Sequence, residues 1–241
     1  EYIASMEWEA AKEIYQLSAQ GDEDTVENLV STFMNNLQLA YELRVNYELE
    51  DDVLYVDLDL PEIEDLKTEY PVLSKDKIVN KKKTAAGLRE EYAQMVMNMG
   101  VFLSTNFFNL SSYIRTIVMS GFNTVRDSKG DLVDQYLYSV KFTREVFEQT
   151  NLSEVEDLYS FLLKFENRIN LSTNHVFKAV VPYEMESVTA RNALIDDAVL
   201  GLKELGYKAG DINAILPQLS ENTYASSGEY LKEGLRLLNQ K

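Results

Sequence analysis

The chain has no cysteine among its 241 residues. A disulfide framework, an iron–sulfur cluster, a zinc site held by cysteines and a cysteine nucleophile are therefore excluded. With His175 as its single histidine, the chain also lacks the ligands of a typical zinc site. No apolar run approaches the roughly 18 residues of a transmembrane helix, and no signal-like N-terminus is seen. We therefore expect a cytoplasmic protein with no membrane span.

Glycine and proline are scarce, at 10 and 4 residues, which favours long helices and strands joined by few loops. Hydrophobic residues make up 45% of the chain, enough for a packed core. The sequence begins at Glu1 without an initiator methionine and already in a helical pattern, so we expect a fragment of a longer protein. Its length accommodates two modest domains.

Basic residues are also in short supply, with 23 Lys and Arg against 40 Asp and Glu, for a formal net charge of −17. Double-stranded DNA carries one negative charge per roughly 1.7 Å of its axis, so it repels an acidic body. We therefore expect this chain to bind nucleic acid only weakly or indirectly.

Motifs for nucleotide binding and covalent catalysis are missing as well. The chain has no glycine-rich phosphate loop, and Ser172 and Ser187 lack a nucleophile-elbow context. We expect no cofactor and no catalysis. One enzyme hypothesis stays open, because Asp57 and Asp59 would project from one strand face and could share Mg²⁺. A solvated strand face is the simpler interpretation.

Residues 1–186 mix helical and strand periodicity, which predicts an α+β body made of a helical hairpin and a small antiparallel sheet with helices. Tyr136, Tyr138, Val140 and Phe142 are predicted to share one strand face. In chain order, the predicted elements are helices at 2–18 and 24–40, a β-hairpin at 43–60, an irregular segment at 61–83, a helix from 84, strands at 113–126 and 132–143, a helix at 153–168 and a last strand at 176–183.

Residues 190–241 form the tail, for which the apolar spacing predicts a small all-α domain of three helices. Gly206 is expected to end the first helix, Asp211 to begin the second with Pro217 at its end, and Ser226-x-x-Glu229 to cap the third. The predicted inward positions are Leu202, Leu205, Ile215, Leu231 and Leu235.

The tail resembles the C-terminal domain of RuvA, the Holliday-junction branch-migration protein. The residues that carry the resemblance are Ala198, Leu202, Leu205-Gly206-Tyr207, Ile215 and the run from Glu229 to Leu238. The resemblance implies a module that docks on the RuvB motor ATPase rather than one that grips DNA. The OB-fold and helix-hairpin-helix motifs of RuvA have no recognisable counterpart here. The small helical architecture is also similar to ubiquitin-associated domains, another protein-binding class.

The body resembles a domain that precedes the nuclease domain in some bacterial restriction-endonuclease-like proteins. That likeness rests on the Asp57-containing strand that ends at Pro61, on Gly130, on Ser139-Val140 and on Arg144-x-x-Phe147. It implies an accessory role, and the nuclease domain itself is not recognisable in the sequence.

The basic run "KDKIVNKKK" is the other candidate site, with Lys81, Lys82 and Lys83 at its end. If Arg144 lies nearby, these cations would form a phosphate-binding patch. A solvated loop is the simpler interpretation.

The sequence as a whole predicts a non-catalytic interaction module. Its tail is expected to bind a protein partner, such as a DNA-processing motor ATPase. The tail residues expected to serve this binding or the packing behind it are Leu202, Leu205, Gly206, Tyr207, Ile215, Leu231 and Leu235. Two alternatives remain: an accessory DNA-contacting domain that uses the basic run, and a metal-dependent enzyme that uses the acidic strand.

Overall fold

The computed structural model describes residues 2–39, 41, 43–220, 222 and 224–239. The chain divides into two compact units: the body, up to Tyr183, and a second unit from Glu184 that contains the tail. The body combines helices with a sheet and the tail is helical, which confirms the predicted fold class.

The described strands are β1 (Arg44–Glu50), β2 (Val53–Asp59), β3 (Glu69–Ser74), β4 (Lys77–Lys82), β5 (Thr116–Arg126), β6 (Leu132–Thr143) and β7 (Glu166–Ile169). The described α-helices are α1 (Tyr2–Gln20), α2 (Glu23–Asn36), α3 (Ala85–Leu110), α4 (Arg144–Glu148), α5 (Leu158–Leu162), α6 (Glu186–Glu204), α7 (Ala209–Asn213), α8 (Leu216–Ser220) and α9 (Ser227–Leu238). No described helix is both long and apolar enough to cross a membrane.

The main sheet of the body has five strands in the order β1-β2-β5-β6-β7. It is antiparallel except between β2 and β5, which run parallel with Val53 opposite Thr116. Parallel neighbours need a long crossover. Here α3 provides it, beginning at Thr84, whose side chain accepts a bond from the Gly87 amide.

One face of this sheet packs against α3 to form the main core. Tyr138 of β6 is 1% exposed, and its hydroxyl donates to the Val96 carbonyl of α3 at 3.1 Å. A side chain at Gly100 would lie 2.8 Å from that hydroxyl, so α3 approaches β6 closely only because this residue has no Cβ. Burial raises the pKa of Tyr138, so its hydroxyl stays a donor.

A β-bulge in β6 overturns one prediction, that Tyr136 shares a face with Tyr138. Gly121 pairs with Tyr138 and Phe122 with Tyr136, which leaves Leu137 as an extra residue. An extra residue reverses the alternation of side chains beyond it. Tyr136 therefore lies on the opposite face, with its ring centroid 5.4 Å from that of Phe122.

The helical hairpin of α1 and α2 is confirmed, and its turn is fixed by Gly21 and Asp22. The amides of both residues bond back into α1, and the Asp22 side chain caps α2 by accepting from Thr25. Gly21 has a φ of +84°, and a Cβ there would lie 2.3 Å from the Tyr113 ring. The Ser111 hydroxyl also donates to the Ser18 carbonyl, which ties the hairpin to the end of α3.

Three predicted segments of the body are wrong. The irregular segment at 61–83 contains the β3–β4 hairpin, with a two-residue turn in which Lys75 and Asp76 have positive φ. The helix at 153–168 is reduced to α5, because residues from Glu166 pair with β6 instead. The strand at 176–183 is not formed. Only an isolated bridge between Leu171 and Phe177 lies near it in the described chain.

The tail has two short helices where one was predicted. Pro217 has no amide hydrogen, so α7 does not continue through it, and α8 restarts with Pro217 in its first turn. Asp211 was expected to cap the first of these helices. Helix α7 instead begins at Ala209, with Lys208 as its N-cap, so Asp211 lies within its first turn. Ser226 caps α9 as predicted, with its hydroxyl accepting from the Glu229 amide at 3.4 Å.

Candidate functional sites

The tail core is built where α6 crosses α9. Leu202 and Ile215 are buried, and Leu231 and Leu235 are half-buried against the same cluster, as predicted for all four. A Cβ at Gly234 would lie 2.9 Å from Leu202, so the missing side chain lets the two helices approach closely.

A tyrosine that the sequence analysis did not single out belongs to a second buried cluster of the tail, with Ile195, Ala198 and Leu219. Tyr230 is fully buried, and its hydroxyl donates to the Asn222 carbonyl at 3.0 Å and accepts from the Tyr224 amide at 3.3 Å. The Tyr224 ring meets it edge-on, with centroids 4.9 Å apart. Tyr230 sits one position before Leu231, so the leucine spacing alone does not predict its burial.

The corner after α6 is a Schellman motif formed by Leu202, Lys203, Gly206 and Tyr207. The Tyr207 amide bonds to the Leu202 carbonyl and the Gly206 amide to the Lys203 carbonyl. Gly206 has a φ of +93°, and the Tyr207 side chain packs on the Leu202 cluster. This is the geometry expected of a glycine that ends a helix.

Leu205 was predicted to point inward, and that prediction is wrong. The side chain is 59% exposed, because the helix ends there and Tyr207 fills the corner in its place. The exposed leucine stands directly beside a rigid turn. Leu200 of α6 is a second large apolar side chain exposed to solvent, at 58%.

The basic run forms the strand β4 of a two-stranded hairpin rather than a loop. Lys81 and Lys82 are exposed on it. Lys83 is different, because it follows the strand and forms an ion pair with Glu91 at 2.5 Å. Of the three predicted lysines, only Lys83 is in this ion pair with Glu91.

Arg144 belongs to the interior scaffold rather than to the basic run. Its guanidinium donates to the carbonyls of Phe108, Ser111 and Ile114 and pairs with Glu148. These bonds hold the C-terminus of α3 against β6. They use four of the five guanidinium N–H groups, which leaves one for a phosphate.

Asp57 and Asp59 lie on the same face of β2, but their surroundings differ. Asp57 accepts a hydrogen bond from the Tyr136 hydroxyl at 3.2 Å, and burial raises the pKa of its carboxyl. Asp59 lines an open groove of about 1220 Å³ together with Arg44 and Lys83. Within the described residues, no group of three or more potential metal ligands is found.

The comparisons with known proteins concern the tail. Residues 193–239 match the family described as RuvA, C-terminal domain, so the tail is a small helical domain that resembles that class. Over 47 residues the chain is 43% identical to the Holliday junction branch migration complex subunit RuvA of Latilactobacillus sakei subsp. sakei (strain 23K).

That match covers 20% of this chain and 23% of the RuvA protein, so the chain spans about a quarter of the length of the curated relative it matches. No solved structure matches the chain. Both matches lie in the tail, and they confirm its resemblance to the RuvA C-terminal domain. The resemblance of the body to a domain ahead of a nuclease stays a prediction.

Proposed function

We propose that this chain is a non-catalytic interaction module whose tail docks on a motor ATPase in a DNA-processing system. The observation that carries the proposal is the match of residues 193–239 to the RuvA C-terminal domain. Such a partner is what the likeness to a branch-migration subunit suggests. A cytoplasmic location fits this role, and we include it in the proposal.

The proposed docking surface is the corner at the end of α6, formed by Leu205, Gly206 and Tyr207. The Schellman turn holds its backbone rigid, so little conformational entropy is lost when a partner binds. Leu205 presents an apolar side chain that is 59% exposed. Large apolar side chains in rigid, exposed positions are typical anchors of protein interfaces.

The metal-dependent alternative has weaker support. Burial raises the pKa of the Asp57 carboxyl, so a cation there would have to offset the cost of ionising a partly buried group. Its hydrogen bond to Tyr136 also occupies one carboxylate oxygen. A solvated and partly buried strand face accounts for both aspartates.

The experiment that tests docking uses the full chain and a RuvB-type ATPase from the same cell. Leu205→Ser is expected to weaken binding at least tenfold, since it removes an exposed anchor without touching the core. Leu132→Ser is the matched control, because Leu132 is a body leucine of similar exposure, at 63%. Fluorescence anisotropy of the labelled chain, titrated with the ATPase, measures both.

Binding that is equally strong in the parent and in Leu205→Ser would rule out this corner as the docking surface. Binding lost in Leu132→Ser but kept in Leu205→Ser would move the interface to the body. No binding of the parent at micromolar concentrations would overturn the ATPase as partner.

A further inference from the structure

The β3–β4 hairpin, residues 69–82, is here called the arm, and its exposure sets it apart from the rest of the body. Every residue of the arm is exposed except the half-buried Val72. Leu73 and Ile78 are direct cross-strand partners one pair away from the turn, and each is 76% exposed. The two strands form a sheet of their own, separate from the main sheet. An isolated two-stranded hairpin is marginally stable in water, which favours a surface that stabilises it on contact.

The charge of the arm is opposite to that of the chain. It carries four lysines against two acids, in a chain of net charge −17. Within the described residues, none of these lysines is in an ion pair with a carboxylate. The four arm lysines are Lys75, Lys77, Lys81 and Lys82.

We propose that the arm contacts double-helical DNA, entering the minor groove with Leu73 and Ile78 and placing its lysines along the flanking phosphates. Leucine and isoleucine side chains are among the apolar wedges that insert between base steps in that groove and bend the duplex. Lys77, Lys81 and Lys82 on β4, with Lys75 in the turn, would neutralise phosphates along one side of the groove. At roughly 3.3 Å per residue, six-residue strands reach about 20 Å, enough to cross a groove.

The remainder of the chain limits the strength of this contact. Outside the arm the protein is strongly acidic and repels a duplex, so the arm alone binds weakly at physiological salt. Binding becomes measurable at low salt, or when another protein holds the chain on DNA. The proposal is independent of the tail, since no arm residue belongs to the unit that begins at Glu184.

The test is a titration of a fluorescent duplex with the full chain at about 50 mM and about 150 mM salt. The Lys81→Glu/Lys82→Glu variant is expected to lose at least tenfold in affinity at the lower salt. For this variant, the slope of log affinity against log salt concentration should be shallower by about 1.8, which is about 0.9 for each lost phosphate contact. Lys178→Glu/Lys232→Glu is the matched control, because it changes the net charge equally at exposed lysines outside the arm.

A second variant separates insertion from charge. Leu73→Ser/Ile78→Ser keeps the lysines, so we expect it to retain affinity within a few fold and to lose bending. Energy transfer between dyes at the two duplex ends measures that bending.

Three results would overturn the proposal. The first is no binding by the parent at the lower salt. The second is an equal loss in the arm variant and in the control. The third is sedimentation showing that the arm lysines instead drive self-association, which would make a second copy of the chain the occupant.

Discussion

At the scale of single residues, neighbouring leucines at the end of α6 have opposite roles. Leu202 has no exposed surface, whereas Leu205 is 59% exposed. Leu202→Ala should lower the free energy of unfolding by about 2–5 kcal/mol, because it leaves a cavity beneath Ile215 and Gly234. Leu205→Ala should change it by less than about 0.5 kcal/mol. Urea denaturation of both variants measures the difference, and equal effects would contradict the packing of the tail.

Gly21 illustrates how a turn combines two constraints at one residue. Gly21→Ala should destabilise the body, because its φ of +84° is strained for alanine and its Cβ would collide with Tyr113. Gly130→Ala is the matched control, with a φ of +90° and nothing within 4 Å of the added carbon. The control should lose only the strain, about 1–2 kcal/mol. Thermal unfolding that shows Gly130→Ala to be the more damaging change would refute this account.

At the scale of elements, Arg144 holds the end of α3 in place. Arg144→Lys keeps the charge but loses the planar fork that reaches the carbonyls of Phe108, Ser111 and Ile114. Carbonyls left without partners cost about 1–3 kcal/mol each where they are buried. Hydrogen exchange should therefore quicken in the last turn of α3.

Arg126→Lys provides the comparison, because Arg126 bonds one exposed carbonyl, that of Gly130. Unchanged exchange in Arg144→Lys would show that the ion pair with Glu148 dominates at this site.

The elements that the sequence predicted well are those with a strong local signal. Ser226 caps its helix in the structure as in the sequence, and Gly206 has the positive φ expected of a glycine that ends a helix. These features depend on a few adjacent residues. Local chemistry is therefore enough to place them.

The elements that the sequence predicted poorly depend on distant partners. The arm turns at Lys75 and Asp76, whose positive φ values are not signalled by an Asn-Gly pair. The segment from Glu166 has helical spacing, yet pairing with β6 makes it a strand. The side of the sheet on which Tyr136 lies depends on the β-bulge at Leu137, and the residue pattern of the strand does not reveal a bulge. The exposure of Leu205 likewise depends on where Tyr207 lies.

At the scale of the whole molecule, Asp57 gives stability a defined dependence on pH. The pKa of its carboxyl lies above the usual 3.8, first because of burial, so the folded protein holds this proton more tightly than the unfolded chain does. Its contribution to stability is thus fully present below 3.8 and is lost as the pH rises through the folded-state pKa.

Asp57→Asn keeps an acceptor for Tyr136 and removes the buried charge. We expect it to be at least as stable as the parent at pH 7, with the difference vanishing near pH 3. Asp196→Asn, at an exposed position, should show no such trend. A loss of stability at pH 7 in Asp57→Asn would mean that the charged hydrogen bond outweighs the burial.

The whole chain is also expected to lack catalysis. Purified protein should hydrolyse neither ATP nor DNA, with or without Mg²⁺, in assays of phosphate release and of duplex cleavage. Activity abolished by Asp59→Ala, with folding intact by circular dichroism, would instead establish the enzyme alternative.

The parallel pairing of β2 with β5 also bears on how the protein is made. These strands adjoin only after the arm and all of α3 have left the ribosome, so closing the sheet means closing a long loop. The hairpin of β1 and β2 forms from adjacent residues, and the outer edge of β2 stays unpaired until β5 is available. High contact order of this kind slows folding, whereas the tail assembles from helices close in sequence. We therefore expect the body to be more prone to aggregation than the tail during synthesis, with the unpaired edge of β2 as its most vulnerable surface.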